Sequence, residues 1–408
     1  MGINSDGSLG DGRFSSTNKP EQIVSNGVVA VAGGNGHSLF LRSDGSLWAM
    51  GYNVFGQLGN GPFNNTNKPE QIVSSDVMTI ACGGTHSLFL KSDGSLWSMG
   101  RNNTGQLGDG TTNNMSTPEQ IVAGGVTAIA GGSAHSLFLK SNGSLWAMGY
   151  NFYGQLGNGT TNNATTPEQI VSSGVVAVAG GVGHSLFLKS NGSLWGTGYN
   201  YFGQLGDGTT NNAITPEQIL SSNVVAIACG GYHSLLIKSD GSLWAMGENH
   251  VGQLGDGTIN STNQINQPEQ IVSNGVVAIA GGNGHSLFLK SDGSLWAMGL
   301  NNPGQLGDGF ADSYSPIPEQ IFPMPRPVLT VTSSTDKAQK ATLQLKTTCQ
   351  FGGKFYLLAS TNIAQHLYQW TPIRTNVVNI RSNNNFSATI TNPASSTAGR
   401  QFYILQSE

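Results

Sequence analysis

The stretch that decides the fold is residues 33–61, GGNGHSLFLRSDGSLWAMGYNVFGQLGNG. It returns 49 residues later, at 82–110, as CGGTHSLFLKSDGSLWSMGRNNTGQLGDG. Its histidine occurs six times with spacings of 49, 49, 49, 49 and 52 residues, at His37, His86, His135, His184, His233 and His285. Self-similarity at a fixed period of this length indicates a tandem repeat protein.

The number of repeat units can be counted from the tetrapeptide PEQI. It occurs seven times, beginning at Pro20, Pro69, Pro118, Pro167, Pro216, Pro268 and Pro318. Six units are therefore complete, and a seventh is represented only by its last part, because MGINSDGSLGDG at the N-terminus aligns with MGYNVFGQLGNG. We expect upstream sequence to complete that unit as a seventh blade, and a signal peptide would also lie there. The alternative is a ring that closes with six blades and a leftover strand. The three extra residues of the fifth unit fall in INSTNQINQ, which predicts a surface loop.

The sequence of each unit predicts four short strands, A to D, which in their typical form read VVAVA, HSLFLKS, SLWAMG and PEQIV. Asp-Gly or Asn-Gly between strands B and C supplies the positive φ angles of a tight hairpin. Strand B is apolar on both faces, so each small sheet must be covered on both sides. Four-stranded units that bury their faces against neighbours predict a β-propeller. A straight solenoid is the alternative, but it needs capping units, and the N-terminus shows none.

The pattern GGxxHSLFLKSDGSLWxMGxNxxGQLGDG resembles the regulator of chromosome condensation repeat, whose members form seven-bladed propellers. The resemblance covers about residues 1–321. It implies an all-β fold, with six complete four-stranded blades and a partial N-terminal one. The family includes guanine-nucleotide exchange factors for a small nuclear GTPase and secreted bacterial inhibitors that clamp an enzyme with aromatic loops.

Composition narrows the classes of partner. The 408 residues have a formal net charge of -4, only 10% of them are charged, and no run of lysine and arginine occurs. Nucleic-acid binding is therefore not predicted, and neither is the charged surface of a chromatin-bound exchange factor. No apolar run is long enough to span a bilayer. A chain this rich in uncharged polar residues is more typical of an extracellular or cell-surface protein, which is the location we predict.

Variation between the units concentrates at one end of the predicted propeller. In an up-and-down meander, the A–B turn and the C–D loop share one end, and these are the parts that differ between copies. Three variable C–D positions in each of six units make 18, and eight of them are aromatic. The candidate partner-binding residues at this end are Tyr52, Phe55, Arg101, Tyr150, Phe152, Tyr153, Tyr199, Tyr201, Phe202, Tyr232, Glu248 and His250.

Exposed aromatic rings suit recognition, since they offer large contact area with few torsions to immobilise. The sequence therefore predicts a non-enzymatic scaffold that binds a protein partner. Packing of these rings between blades is the structural alternative. The functional alternatives are glycan binding or adhesion at the cell surface, with Tyr150, Tyr153 and Tyr201 as stacking platforms, then guanine-nucleotide exchange, and hydrolysis.

Motifs for catalysis, metals and cofactors are lacking. The repeated histidines open a strand in identical contexts, so we predict that each bonds a neighbouring backbone group. GDGTTNN lacks the alternating ligand pattern of a calcium loop, and no phosphate-binding loop, dinucleotide fingerprint or catalytic triad signature occurs. Cys82 and Cys229 occupy a position where other units have glycine, and we predict that both are small buried thiols. The repeated tryptophans are predicted to pack between the blades. The sequence predicts no enzyme, no cofactor and no metal site.

The composition changes near the end of the array. The predicted propeller occupies residues 1–322, a proline-rich linker 323–327, and a small β-sandwich-like domain 328–408. The strands of the last part are predicted in LTVTSS, ATLQLK, KFYLLAST, FSATITN and RQFYILQ. Trp370 is predicted in its core, and Cys349 has no evident partner. This part resembles a C-terminal module of secreted bacterial proteins.

Overall fold

The computed structural model describes residues 1–311 and 313–322 and six further strands between residues 330 and 407. The chain divides into two units, Met1–Phe322 and Pro323–Glu408. The first unit is an all-β propeller of six blades, each a four-stranded antiparallel sheet in which sequence neighbours pair. The strands in each blade follow the order A to D that the repeat predicts.

The strands of the first three blades are β1 Val28–Gly33, β2 His37–Arg42, β3 Leu47–Gly51, β4 Thr66–Val73, β5 Val77–Cys82, β6 His86–Lys91, β7 Leu96–Gly100, β8 Met115–Val122, β9 Val126–Gly131, β10 His135–Lys140, β11 Leu145–Gly149 and β12 Ala164–Val171. Those of the last three blades are β13 Val175–Gly180, β14 His184–Lys189, β15 Leu194–Gly198, β16 Ala213–Leu220, β17 Val224–Cys229, β18 His233–Lys238, β19 Leu243–Asn249, β20 Asn260–Val272, β21 Val276–Gly281, β22 His285–Lys290, β23 Leu295–Leu300 and β24 Tyr314–Phe322. The three extra residues of the fifth unit lengthen β20 and do not form the predicted loop, because Asn249 of β19 pairs with Asn260.

The B–C hairpin has the geometry that its sequence predicts. Gly45 has a φ of 78°, and its amide donates to the carbonyl of Arg42 at 3.0 Å. The amide of Ser46 donates to the Asp44 side chain at 2.9 Å. The aspartate and glycine are therefore turn residues, which explains why this end of the propeller hardly varies between units.

Apolar side chains join each blade to the next. In the first junction, Leu39 and Leu41 of β2 pack in one buried cluster with Val77, Phe89 and Met99 of the second blade. Each blade thus has a leucine face and an opposite face that carries phenylalanine, or Leu236 in the fifth blade, and in the five junctions between consecutive blades the leucine face of one blade covers the opposite face of the next. This packing is the reason that strand B is apolar on both sides.

The repeated histidines lie inside these junctions, and their observed partner corrects the predicted one. His37 Nε2 lies 3.0 Å from Ser87 Oγ of the second blade, not against a backbone group. Ser87 donates its hydroxyl proton to the carbonyl of Gln57 at 2.7 Å, so the histidine must be the donor. Four further junctions repeat the pair, at His86–Ser136, His135–Ser185, His184–Ser234 and His233–Ser286.

Residues 1–24, here called the N-terminal segment, bridge the first and sixth blades. Asn18 Nδ2 donates to the carbonyl of Gly309 in the sixth unit at 2.7 Å, and Asn67 Nδ2 of β4 donates to the carbonyl of Gly12 at 2.8 Å. Within the segment, Gly2 pairs with Thr17, the same offset as Gly51 with Thr66 in the first blade. The first PEQI lies in no strand, whereas the other six lie in the D strands.

The second unit contributes β25 Thr330–Thr335, β26 Ala341–Thr348, β27 Phe355–Ser360, β28 Thr371–Arg374, β29 Asn385–Thr391 and β30 Phe402–Ser407. These form two three-stranded sheets, β25–β26–β29 and β28–β27–β30. Five of the strands were predicted from sequence, and β28 was not. The predicted linker 323–327, Cys349 and Trp370 lie outside the described residues. In the part of the chain that is described, no helix is long and apolar enough to cross a membrane.

Candidate functional site

The variable loops emerge at one end of the propeller. The amide of Tyr150, at the start of a C–D loop, donates to the carbonyl of Ala134 in the A–B turn at 2.9 Å. Tyr199 and Gly183 form the equivalent bond at 2.7 Å in the next blade. The positions that differ between units therefore share one surface, which we call the variable face.

The invariant residues of each C–D loop hold its backbone from inside. Asn151 is fully buried; its Nδ2 donates to Asn158 at 3.0 Å, and its Oδ1 accepts the amide of Leu156 at 2.9 Å. Gln155 Oε1 accepts the amide of Tyr153 at 3.1 Å. The side chains of Phe152 and Tyr153, which lie between these anchors, are not part of this hydrogen-bond network, so the residue types at their positions can vary.

The same network explains the aspartates that suggest a calcium loop. Asp109 Oδ1 accepts from Asn102 Nδ2 at 2.9 Å and from the amide of Thr111 at 2.8 Å. In the third unit, Asn158 accepts the equivalent bonds. An amide oxygen serves as well as a carboxylate there, because the position needs only an acceptor. Among the described residues, no three His, Cys, Asp or Glu side chains are grouped so as to hold a metal ion.

Aromatic rings from the third and fourth blades form a continuous row on the variable face. Tyr150 and Phe152 are stacked with ring centroids 6.4 Å apart, and Tyr153 meets Phe152 edge-on at 5.1 Å. Tyr153 then contacts Tyr199 of the fourth blade at 4.5 Å. Tyr199 stacks with Tyr201 at 6.3 Å. Two loops separated by 49 residues in sequence thus share one aromatic surface.

The row continues into the fifth blade. Phe202 lies 5.1 Å from Tyr201, 5.4 Å from Tyr232 of the A–B turn and 5.6 Å from the His250 ring. We call these eight rings the aromatic cluster: Tyr150, Phe152, Tyr153, Tyr199, Tyr201, Phe202, Tyr232 and His250. It spans three consecutive blades and contains eight of the twelve residues predicted from sequence.

The cluster contains two kinds of ring. Phe152 and Tyr201 are 63% and 57% exposed. Tyr150, Tyr153, Tyr199 and Phe202 are half-buried against their neighbours. Burial, and secondarily the neighbouring Tyr153, raises the pKa of Tyr199 above its usual value. The two alternatives of the sequence analysis, contact and packing, therefore apply to different rings, and the exposed pair lies on a base formed by the packed ones.

Glu248 and His250 form a polar edge of the cluster. His250 Nδ1 lies 2.8 Å from Glu248 Oε1, and Gln253 Nε2 donates to Glu248 Oε2 at 3.1 Å. Both carboxylate oxygens are thus engaged in local bonds that hold the His250 ring beside Phe202.

The remaining three predicted residues lie apart from the cluster. Tyr52 and Phe55 of the first blade meet edge-on at 6.0 Å, and the Arg101 guanidinium lies over Phe55 at 4.8 Å, a cation–π contact. Asn103 and Thr104 occupy the ring positions of the second blade. The row of rings is interrupted there, so Tyr52, Phe55 and Arg101 form a smaller second group.

Two apolar residues on the variable face were not predicted. Val54 is 50% exposed at the position equivalent to Phe152, and Ile3 is 59% exposed at the position equivalent to Tyr52. Their positions in the repeat could have indicated them, but only aromatic residues were counted at the variable positions, and Val54 and Ile3 are aliphatic.

Five of the repeated histidines, from His37 to His233, are buried, and the thiols of Cys82 and Cys229 are half-buried. Burial lowers the pKa of His37 to about 4 and that of His86 to about 3, so both rings are neutral at physiological pH. Cys82 and Cys229 are free, and burial raises the pKa of Cys229 to about 12. A neutral imidazole bonded to serine and a protonated thiol are structural groups.

Comparison with known proteins gives a family match and several structural matches. The RCC1-like domain model matches residues 1–220 and 74–370. Human WBSCR16 has 26% identity and a TM-score of 0.66, covering 77% of this chain and 86% of its own. Prp20p from Saccharomyces cerevisiae, described with its binding to Gsp1p and histones, has 23% identity and a TM-score of 0.70, covering 81% and 87%. Comparison with curated protein sequences gives no significant match.

A further structure is yeast RCC1 (Prp20) bound to Kap60, with 23% identity and a TM-score of 0.65, covering 74% of this chain and 77% of its own. At this level of identity, the yeast structures show a common fold. They do not indicate a role for the residues of the variable face.

Proposed function

Because the chain belongs to the RCC1-like domain family, we propose that it is a non-enzymatic scaffold that binds a protein partner through the aromatic cluster. The observation that carries the proposal is the exposure of Phe152 and Tyr201 on a row of packed rings contributed by three blades. Contiguous exposed apolar surface is uncommon on soluble proteins unless it binds something. Covering a ring of this size fully is worth about 1.5–3 kcal/mol.

The loops that present the rings are already ordered. Asn151 and Asn200 are fully buried, and each holds its loop through hydrogen bonds at both ends of the side chain. A surface that does not have to be ordered on binding loses little conformational entropy. This pre-organisation supports recognition by a preformed surface.

Relatives in the family support a protein as the partner class. The yeast neighbour Prp20p is described as binding Gsp1p and histones, and another structure contains it with Kap60. From these relatives we transfer to this chain only the class of partner, a protein. The binding surface itself is proposed from the residues of this chain. Guanine-nucleotide exchange is the less supported alternative.

Glycan binding or adhesion is the second candidate, because Tyr201 presents an exposed ring. Tyr150 and Tyr153, the other two proposed stacking platforms, are half-buried and contact each other edge-on at 6.2 Å. A stacking platform needs a free ring face, so this arrangement favours a protein partner over a sugar. An extracellular or cell-surface location remains part of the proposal and depends on the composition alone.

The proposal includes the organisation of the ring. We propose that the N-terminal segment is the last part of a seventh blade, supported by its bonds to Gly309 and Asn67 and by the Gly2–Thr17 pairing. Residues 328–408 are proposed as a β-sandwich-like domain, supported by two three-stranded sheets.

Site-specific photo-crosslinking tests the function. A photoreactive residue replaces Phe152, or, as a matched control at the opposite end of the propeller, the exposed Asn142 of a B–C turn. In an extract of the source cells, we expect a discrete protein adduct at position 152 that Tyr201→Ser abolishes. Equal adducts at both positions would contradict the proposal. Binding on a glycan array, or release of nucleotide from Gsp1p, would replace it with one of the alternatives.

A further inference from the structure

The contact between Phe55 of the first blade and Arg101 of the second has a counterpart in the aromatic cluster. The Arg101 guanidinium lies over the Phe55 ring at 4.8 Å. In the repeat, Phe202 of the fourth blade occupies the position of Phe55. Glu248 of the fifth blade occupies the position of Arg101. The second pair of positions thus keeps the ring but has a carboxylate in place of the cation, which reverses the charge there.

The Glu248 carboxylate lies close to the rings of the cluster. The amide of Glu248 donates to the carbonyl of Tyr232 at 2.9 Å, and its Oε1 lies 2.8 Å from His250 Nδ1. Burial raises the pKa of Tyr232, and Tyr153 and the negative charge of Glu248 add to the shift, because a nearby carboxylate disfavours a phenolate. The Glu248 side chain is only 18% exposed, so an ion pair formed with it is partly shielded from solvent.

Three rings near Glu248 form a compact group. The ring centroids are 5.4 Å apart for Phe202 and Tyr232, 5.7 Å for Tyr199 and Tyr232, and 6.2 Å for Tyr199 and Phe202. The interplanar angles of these pairs are 52°, 65° and 78°. A cation seated against this group lies near more than one ring, since cation–π attraction acts within about 6 Å of a ring centroid.

The charge of Glu248 is not balanced by a lysine or arginine. Among the described residues it forms no ion pair with either, and its basic contact is the imidazole of His250. Lysine and arginine are also absent from the A–B turns and C–D loops of the third to fifth units, at 131–134, 150–163, 180–183, 199–212, 229–232 and 248–259. Each Glu248 oxygen accepts one described hydrogen bond and can accept another. A cation therefore has the complementary charge.

We propose that Glu248, Phe202 and Tyr232 form a binding site for a guanidinium group, which an arginine of the protein partner supplies. Arginine suits the site better than lysine, because its planar group stacks on a ring while it donates hydrogen bonds to a carboxylate. Arg101 stacks on Phe55 in the same way within this chain. The source of the arginine rests on the proposed function, whereas the site itself rests on the contacts and charges of these residues.

Saturation-transfer NMR of the full chain tests the site with three small probes, the Nα-acetyl amides of arginine, citrulline and lysine. Citrulline is the matched control, because a neutral urea replaces the guanidinium in the same shape. Glu248→Gln removes the carboxylate and keeps the length of the side chain. Asp256→Asn is the control variant, because it removes the same charge from the same loop at a position where the third unit has Asn158.

We expect the arginine amide to bind with a millimolar dissociation constant and the citrulline amide to bind about tenfold more weakly, because the charge-assisted hydrogen bonds are lost. The lysine amide should also bind more weakly than the arginine amide, since an ammonium group does not stack on a ring. Glu248→Gln should weaken binding of the arginine amide by about tenfold, and Asp256→Asn should leave it unchanged.

An arginine amide that does not bind, or that binds no better than either other probe, would overturn the proposal. Equal effects of Glu248→Gln and Asp256→Asn would also overturn it, because they would reflect the overall charge and not a site. The probes are small molecules, so their binding does not depend on the photo-crosslinked adduct at position 152. Absence of that adduct contradicts the proposed function, whereas absence of probe binding contradicts only the guanidinium site.

Discussion

Acidification is expected to unfold the propeller through its buried histidines. The pKa is lowered to about 4 in His135 and to about 3 in His184 and His233, mainly because burial disfavours the imidazolium ion. The unfolded chain binds these protons near the ordinary pKa of about 6.5. The histidine contribution to stability is therefore fully present above that pH and is lost progressively as the pH falls towards the folded values.

The size of the effect follows from the proton linkage. At pH 5.5, each histidine that stays neutral in the fold lowers the free energy of unfolding by about 1.4 kcal/mol relative to high pH. Six such residues give about 8 kcal/mol, which is comparable with the entire 5–15 kcal/mol stability of a typical domain. We expect the urea midpoint to fall steeply below pH 6.5 and the fold to be lost between about pH 5.5 and 4.5.

Tryptophan fluorescence in urea at about pH 7.5, 6.5 and 5.5 measures this dependence. The matched variant is His135→Gln, whose side-chain amide can still donate to Ser185 but cannot titrate. It should reduce the pH dependence of the unfolding free energy by up to one proton, about 1.4 kcal/mol per pH unit. A urea midpoint that is constant from pH 7.5 to 5.5, or a His135→Gln effect that is equal at every pH, would refute the reasoning.

Three further outcomes are expected. Phe152→Ser with Tyr201→Ser should change the free energy of unfolding by less than about 1 kcal/mol, because both rings are exposed; a larger loss in thermal unfolding would show that they are packing residues. Ser136→Ala should destabilise the fold by about 1–3 kcal/mol in urea titration, since it leaves the buried His86 Nε2 without an acceptor; an unchanged midpoint would argue against the junction bond. Cys229 should resist a thiol reagent at about pH 8 in the folded protein and react after unfolding; rapid reaction in the folded protein would show that this thiol is exposed.

The strand order and blade packing were predictable because they depend on local patterns. Asp44-Gly45 fixes a hairpin through backbone conformation, and the two apolar faces of strand B require neighbours on both sides. The sequence also predicted that the variable loops share one end of the propeller, because the connections of a meander alternate between its two ends. The lengthened β20 did not follow, because whether an insertion joins a strand depends on a partner such as Asn249.

Contacts between distant residues set the limit of prediction at the site. Nothing in the sequence near Tyr153 indicates that its ring meets Tyr199 in the next blade, so exposed and packed rings could not be separated. The partner of His37 was missed for the same reason, because Ser87 lies 50 residues away. A comparison of equivalent positions would have revealed it, since serine follows the histidine in every unit.

The anchoring of each C–D loop by a buried asparagine separates the geometry of a loop from the identity of its outward residues. Such a scaffold can exchange its specificity one sector at a time, because new side chains at the three outward positions leave the supporting framework intact. The eight rings of the aromatic cluster lie on three adjacent blades, to one side of the propeller axis. A ligand bound there would contact one side of the propeller, and each propeller would bind one copy of it.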